Sequence, residues 1–191
     1  SPDIVLQPNY VESVQKIMRF CFENRIRVTP QGGNTGLCGA TVTTEGVLLN
    51  LSKLNRIRDI NLADNSMTVE AGVILQNAQK AAAEAGRLFP LSLASEGSCQ
   101  IGGNIACNAG GLNVLRYGSM RDLVLGLEVV LPNGELVSHL QPLHKNTTGY
   151  DLRHLFIGSE GTLGIITAAT LKLFAQPKTK ATVWVGLDDI E

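Results

Sequence analysis

Twelve of the 20 glycines in this 191-residue chain fall into three clusters: Gly32, Gly33, Gly36 and Gly39; Gly97, Gly102, Gly103, Gly110 and Gly111; and Gly158, Gly161 and Gly164. A residue without Cβ takes positive φ freely and lets successive backbone N–H groups converge on an anion. Any one cluster is equally well read as a tight turn or a close strand crossing. Three clusters together point to a ligand, and a diphosphate suits them. The first lacks the Lys-Ser/Thr ending of a P-loop, and none has the G-x-G-x-x-G spacing of a Rossmann turn.

Between the clusters the chain alternates helical and extended patterns. Asn9–Glu12 reads as an N-cap with a capping-box acid. Val11, Val14, Ile17, Met18 and Cys21 follow at helical spacing, predicting a helix over Tyr10–Glu23. Ile26–Thr29 is a short strand that Pro30 ends, delivering the chain into the first glycine loop. Val47–Leu51 and Ser66–Ala71 read as strands, and Val73–Ala85 as a helix stopped by Gly86 in the left-handed conformation. Val124–Leu131, the turn Pro132-Asn133-Gly134 and Glu135–Ser138 predict a hairpin, and Leu163–Phe174 a long strand. Gln176–Lys180 reads as a linker, with one more strand over Ala181–Leu187.

With 44% hydrophobic residues the chain has material for a sizeable core. Sixteen basic against 17 acidic residues give a net charge of -1, which excludes a broad electrostatic footprint for nucleic acid or anionic membrane. No apolar stretch reaches the length of a membrane span. The start, Ser1-Pro2-Asp3, carries no signal-like pattern. Cys21, Cys38, Cys99 and Cys107 lack metal-ligand spacing and read as reduced thiols used as small packing residues, in keeping with a cytoplasmic or mitochondrial-matrix setting.

Three ordered motifs carry a resemblance. Pro30-Gln31-Gly32-Gly33-Asn34-Thr35-Gly36, the run Gly97–Gly111 with its core Gly102-Gly103-Asn104-Ile105-Ala106, and Gly158-Ser159-Glu160-Gly161-Thr162-Leu163-Gly164-Ile165 resemble the FAD-binding domain of the D-2-hydroxyglutarate and D-lactate dehydrogenase family. Tyr117-Gly118, Leu125–Leu131 and Thr148–Leu152 extend the likeness over nearly the whole chain. The resemblance implies an α+β, two-lobed vanillyl-alcohol-oxidase-type FAD-binding domain with mixed sheets flanked by helices. It would occupy residues 1–176, with lobes of about 1–90 and 91–176. Residues 177–191 would be a linker and the start of a C-terminal cap domain.

By that likeness, Gly32, Gly33, Asn34, Thr35 and Gly36 would wrap the diphosphate, with Pro30, Gln31 and Leu37 beside them as cofactor-binding residues. Pro90, Gly97, Ser98, Ile101, Gly102, Gly103, Asn104 and Ala106 would lie along the cofactor, and Asn108, Gly110 and Gly111 would continue the cradle. Glu160, Gly161, Gly164 and Ile165 would close its other side. Asn34 and Thr35 either face the flavin ring or brace their own loop. Relatives that tether flavin covalently place a histidine near the Thr35 position; none stands here, which favours noncovalent FAD.

The implied reaction is hydride transfer from C2 of a D-2-hydroxy acid to the flavin. Gln31 and Gly97-Ser98-Cys99 lie closer to the 2-hydroxyglutarate branch than to relatives with Arg at the Gln31 position. An electron-transfer flavoprotein, quinone or cytochrome would reoxidise the flavin. The catalytic base, the basic substrate clamp and any divalent metal belong to the cap, so no catalytic residue and no metal ligand is assigned here. His139, His144 and His154 read as ordinary histidines, and Lys145 and Arg153 as solvated charges; Tyr150 and Asp151 either touch the ligand or, the preferred reading, are turn residues. Two other readings stay open: a noncatalytic flavin-binding or electron-transfer subunit, and an NADPH-dependent enolpyruvyl-sugar reductase.

Overall fold

A computed structural model describes residues 1–179 and 181–186. Near the start, a three-stranded parallel sheet in the order β1-β3-β2 is built from β1 (Ile4–Leu6), β2 (Val28–Gln31) and β3 (Val47–Asn50). Helix α1 (Val11–Glu23) makes the crossover from β1 to β2. Its stripe of Val14, Met18 and Cys21 is buried, as the 3.6-residue spacing requires. Val47 and Leu49 alternate inward along β3.

The second sheet is five-stranded and antiparallel throughout, in the order β4-β5-β9-β7-β8. Its strands are β4 (Ile57–Asn61), β5 (Ser66–Glu70), β7 (Val124–Val130), β8 (Leu136–His139) and β9 (Ile165–Lys172). β9 lies at the centre with its first seven residues buried, so it reads as a run of Ile, Thr, Ala and Leu rather than an alternation. Parallel and antiparallel pairing are thus sorted into separate sheets. β4 and β5 join strands from the second half of the chain, so sheet membership changes between Asn50 and Ile57.

Helices α2 (Leu75–Glu84), α3 (Ile101–Ala106) and α5 (Met120–Leu123) cover one face of this sheet with a core that includes Met67, Val69, Leu75, Phe89, Ile105, Met120 and Leu171. A second cluster, Val14, Met18, Leu49, Leu51, Leu54, Ala71, Val130 and Ile165, joins α1 and the parallel sheet to the five-stranded one. The remaining elements are short: β6 (Arg87–Leu88) pairs with β10 (Phe174–Ala175), and α4 (Val114–Tyr117) and α6 (Arg153–Phe156) are single turns.

Gly86 has φ +69° behind α2, and the β7–β8 hairpin turns through Gly134 at φ +82°, both as anticipated. The expected capping box at Asn9–Glu12 does not form. Tyr10 occupies the N-cap of α1 without a side-chain bond, because its phenol cannot fold back on the first turn as a short Asn or Ser does. The box that does form is Ser119 with Asp122 at α5. Residues 181–186 of the strand expected at Ala181–Leu187 are not paired with any described residue and are exposed, and Leu187 lies outside the described residues, as does Lys180 of the expected linker. Gln176 still belongs to the body, donating to the carbonyls of Ala83 and Arg87 at 3.2 Å each.

Candidate functional site

The three glycine motifs meet around α3, which the second motif itself forms. Glycine is needed on one flank because backbones pass in contact. A Cβ on Gly33 would stand 2.2 Å from the Ser98 carbonyl oxygen, and one on Gly102 would stand 2.6 Å from the Ala71 Cβ. On the other flank, Gly158 and Glu160 donate their N–H groups to the carbonyls of Ile105 and Ala106 at 3.1 and 3.0 Å, satisfying the end of α3. Gly161, at φ +78°, turns the third motif onto the first, where an added Cβ would stand 2.4 Å from Pro30 Cγ.

Two adjoining, solvent-open hollows lie between these loops, of about 660 and 770 Å³. Gly32, Ala40, Thr41, Gly103 and Cys107 line both, so they form one trough. The first hollow is lined mainly by apolar groups, Pro30, Leu51, Ala71, Ala106, Gly164, Ile165 and Ile166, together with Gln31, Gly102, Glu160 and Gly161. The second is lined by Gly33, Asn34, Thr35, Gly36, Cys38, Leu93, Ser95, Gln100, Asn104 and Ala109. Among the described residues, no Lys, Arg or His lines either hollow. An anion held here therefore has backbone N–H groups and neutral side chains as its partners.

Not every glycine serves the trough. Gly36 and Gly103 face open space, with nothing of the protein within 4 Å of an added Cβ. Gly111, at φ +77°, passes so close to Ser92 that an added Cβ would stand 2.2 Å from its carbonyl oxygen, Gly110 lies against Val114, and Gly97 is exposed near Gln76. Ile101 is fully buried and donates its N–H to Val73, because it anchors α3 into the core. Ser98 Oγ turns back to Ser95, Leu37 is wholly exposed, and Pro90 lines a separate hollow beside Tyr117. Asn108, in the left-handed region at φ 49°, accepts a hydrogen bond from the Arg121 N–H. Asn34, at φ 52°, accepts one from Thr41 Oγ1 at 2.7 Å, the loop-bracing role of its two readings.

Residues outside the expected set also line the trough: Ala40, Thr41, Leu51, Ala71, Leu93, Ser95, Gln100, Ala109, Ile166 and two cysteines. Cys21 and Cys99 are buried packing thiols, but Cys38 and Cys107 are exposed on the trough wall. Burial, then the neighbouring Glu160 and Cys38, pushes the Cys107 thiol above its ordinary range, so it stays protonated at neutral pH. Arg153 is not a solvated charge. It pairs with Asp151 and donates to the carbonyls of Val124 and Leu125, fixing the segment that carries Tyr150. Its hydrogen bond, opposed in part by burial, holds the Asp151 carboxyl below the usual carboxylate range.

The model of a family described as the FAD binding domain matches residues 2–139, well over half the chain. This chain belongs to that family. Among curated proteins, the FAD-binding domain is 43% identical over 190 residues to a D-2-hydroxyglutarate–pyruvate transhydrogenase of Saccharomyces cerevisiae, covering 99% of the chain and 38% of that protein. It is 44% identical over 192 residues to a mitochondrial D-2-hydroxyglutarate dehydrogenase of Danio rerio, covering 100% of the chain and 36% of that protein. It is 45% identical over 192 residues to the D-2-hydroxyglutarate dehydrogenase of Xanthomonas citri, covering 100% and 41%. The chain thus spans about two fifths of the length of these relatives. A solved structure of alkyldihydroxyacetonephosphate synthase superposes with a TM-score of 0.82 at 23% identity, over 92% of this chain and 32% of that one, which fixes the fold.

No helix among the described residues is long and apolar enough to cross a membrane. Among the same residues, no group of three or more His, Cys, Asp or Glu is placed to hold a metal ion.

Proposed function

We propose that the trough holds FAD noncovalently and that the protein carrying this domain oxidises a D-2-hydroxy acid, of the 2-hydroxyglutarate class, to the 2-oxo acid. The observation behind this reading is the contrast among the glycines. Gly33 and Gly161 lock the three motifs together and Gly102 seats α3 on Ala71, while Gly36 and Gly103 keep an open cradle free of protein atoms. A cofactor that carries its own charge and binds through backbone N–H groups fits such a cradle.

The apolar hollow of Pro30, Leu51, Ile165 and Ile166 suits the nucleoside base, and the Gly32–Gly36 loop facing Gly103 suits the diphosphate. Glu160, which lines the same apolar hollow, would accept from a ribose hydroxyl. Bound FAD supplies the hydride acceptor; the protein's share here is to hold the ring system and exclude water. No histidine lines the trough, which supports noncovalent attachment. The base, the carboxylate clamp and any divalent metal are assigned to a cap domain outside this chain. The electron acceptor is an electron-transfer flavoprotein, quinone or cytochrome, and the compartment cytoplasm or mitochondrial matrix.

The test is anaerobic. The full protein, loaded with FAD, is expected to lose its oxidised-flavin absorbance with D-2-hydroxyglutarate and not with the L-enantiomer. Bleaching by NADPH without response to any 2-hydroxy acid would replace this reading with the enolpyruvyl-reductase one.

A further inference from the structure

We infer that Gln100 is a cofactor-contact residue whose carboxamide takes a hydroxyl of the flavin-bearing half of the bound dinucleotide. The inference rests on the FAD reading above. Gln100 precedes α3 as its N-cap residue, yet its side chain makes no capping bond. Its backbone is held firmly, by an antiparallel bridge to Ile74 and by accepting the Asn104 N–H at 2.9 Å. The side chain is 7% exposed and lines the second hollow beside Asn34, Thr35 and Asn104.

Among the described residues, Gln100 Oε1 is the one buried side-chain oxygen or nitrogen without a hydrogen-bond partner. It lies 3.5 Å from where a Cβ on Gly32 would stand, under the loop proposed to carry the diphosphate. An unpaired buried acceptor is costly, and structures retain one where something else supplies the donor. The last side-chain torsion of glutamine is broad and two-fold, so one rotation turns the amide into the trough without moving the backbone.

The unpaired oxygen is an acceptor and needs a donor, which a diphosphate does not offer; a contact from the Nε2 amide to the phosphates would instead weaken FMN and ADP alike. The donors on FAD near such a cleft are the hydroxyls of the ribityl chain. The adenine end is better matched by the apolar hollow, which Gln100 does not line. FMN carries the ribityl chain and ADP does not, so the two ligands divide the alternatives.

The experiment measures dissociation constants of FAD, FMN and ADP for the full protein and its Gln100→Met variant, with thermal melting of both apoproteins. Methionine keeps the length and removes both polar atoms. FAD and FMN should bind about tenfold more weakly, one hydrogen bond's worth, and ADP within about twofold of wild type. The apo variant should melt no lower than wild type, because an unsatisfied acceptor has been removed. FAD binding unchanged by the substitution, or an equal loss for FMN and ADP, overturns the inference. If Gln100→Met does not fold, Gln100→Glu decides: its FAD affinity should fall from pH 5 to pH 8 as the carboxyl ionises beside the diphosphate, and a flat profile overturns the inference. Failure of wild-type protein to bind FAD would instead remove the parent reading.

Discussion

Gly33 and Ser98 touch backbone to backbone: a Cβ on Gly33 would stand 2.2 Å from the Ser98 carbonyl oxygen. This contact pins the first motif to the second, some 65 residues further along the chain, before any ligand arrives. Gly103, five residues beyond Ser98, has nothing within 4 Å of an added Cβ and faces the trough.

The two positions should therefore respond oppositely. Gly33→Ala drives a methyl into a backbone carbonyl that no rotamer change can move aside, and should lose about 2 kcal/mol or more of stability. Gly103→Ala replaces a helix-interior glycine and should gain about 0.5–1 kcal/mol, while placing its methyl in the cradle and weakening FAD. Urea unfolding of the apoproteins with FAD titration of each separates the effects. Equal stabilities, or full FAD affinity in Gly103→Ala, would contradict this division of labour.

Beneath the β4 edge of the five-stranded sheet, Glu70 is completely buried against Arg56 Nη2 at 2.8 Å and Arg58 Nε at 3.3 Å, and Arg58 reaches on to Glu128 at 3.0 Å. Burial works to raise the Glu70 carboxyl, but hydrogen bonds from the Arg56 side chain and backbone outweigh it and hold the carboxyl below its ordinary range. A carboxyl depressed by folding contributes stability above its unfolded pKa and loses it as pH falls through the folded value. Glu70→Gln should cost about 2 kcal/mol at pH 7, below the range for fully buried pairs because Arg56 is largely exposed. The deficit should narrow as pH falls below the ordinary carboxylate range. Parallel urea midpoints at pH 7 and pH 3 check this; a constant gap would mean that Glu70 does not titrate with folding.

The glycine spacing disclosed that three distant loops converge, and the periodicities of α1, α2 and β9 disclosed the larger elements. What the spacing could not separate is the two uses of a missing Cβ. Gly33, Gly102 and Gly111 spend it on backbone crossings, Gly36 and Gly103 on an open cradle, and both leave the same letter in the sequence. Helices of four to six residues such as α3, α4 and α6 are too short to show a period, so Ile101 reads as motif when it is core. Gln100 stood inside a quoted motif, but its unpaired oxygen is a property of its surroundings. Arg153 looked solvated because the carbonyls it binds, Val124 and Leu125, are nearly 30 residues away.

Flavin attachment makes a simpler prediction. With Thr35 and no histidine on the trough wall, all FAD should leave on denaturation, and the denatured polypeptide should show no flavin fluorescence. A fluorescent band that persists would point to a covalent link, with Cys38 and Cys107 as the nucleophiles to replace first.

Oxidation of a 2-hydroxy acid requires a cationic clamp for its carboxylate and a base for its hydroxyl proton, and positioning and proton removal each contribute several powers of ten to rate. Among the described residues the trough wall holds no Lys, Arg or His, and one carboxylate, Glu160, which lines the apolar hollow. The Cys107 thiol, raised above its ordinary range, stays neutral and is no substitute for a base. The domain alone, loaded with FAD, should therefore stay oxidised under anaerobic D-2-hydroxyglutarate or D-lactate while the full protein bleaches. Adding exogenous imidazole should not rescue it, because the missing clamp, and not only the missing base, leaves the substrate unheld. Bleaching of the isolated domain at the rate of the full protein would place the catalytic groups within residues 1–191 and would make Glu160 the first residue to replace.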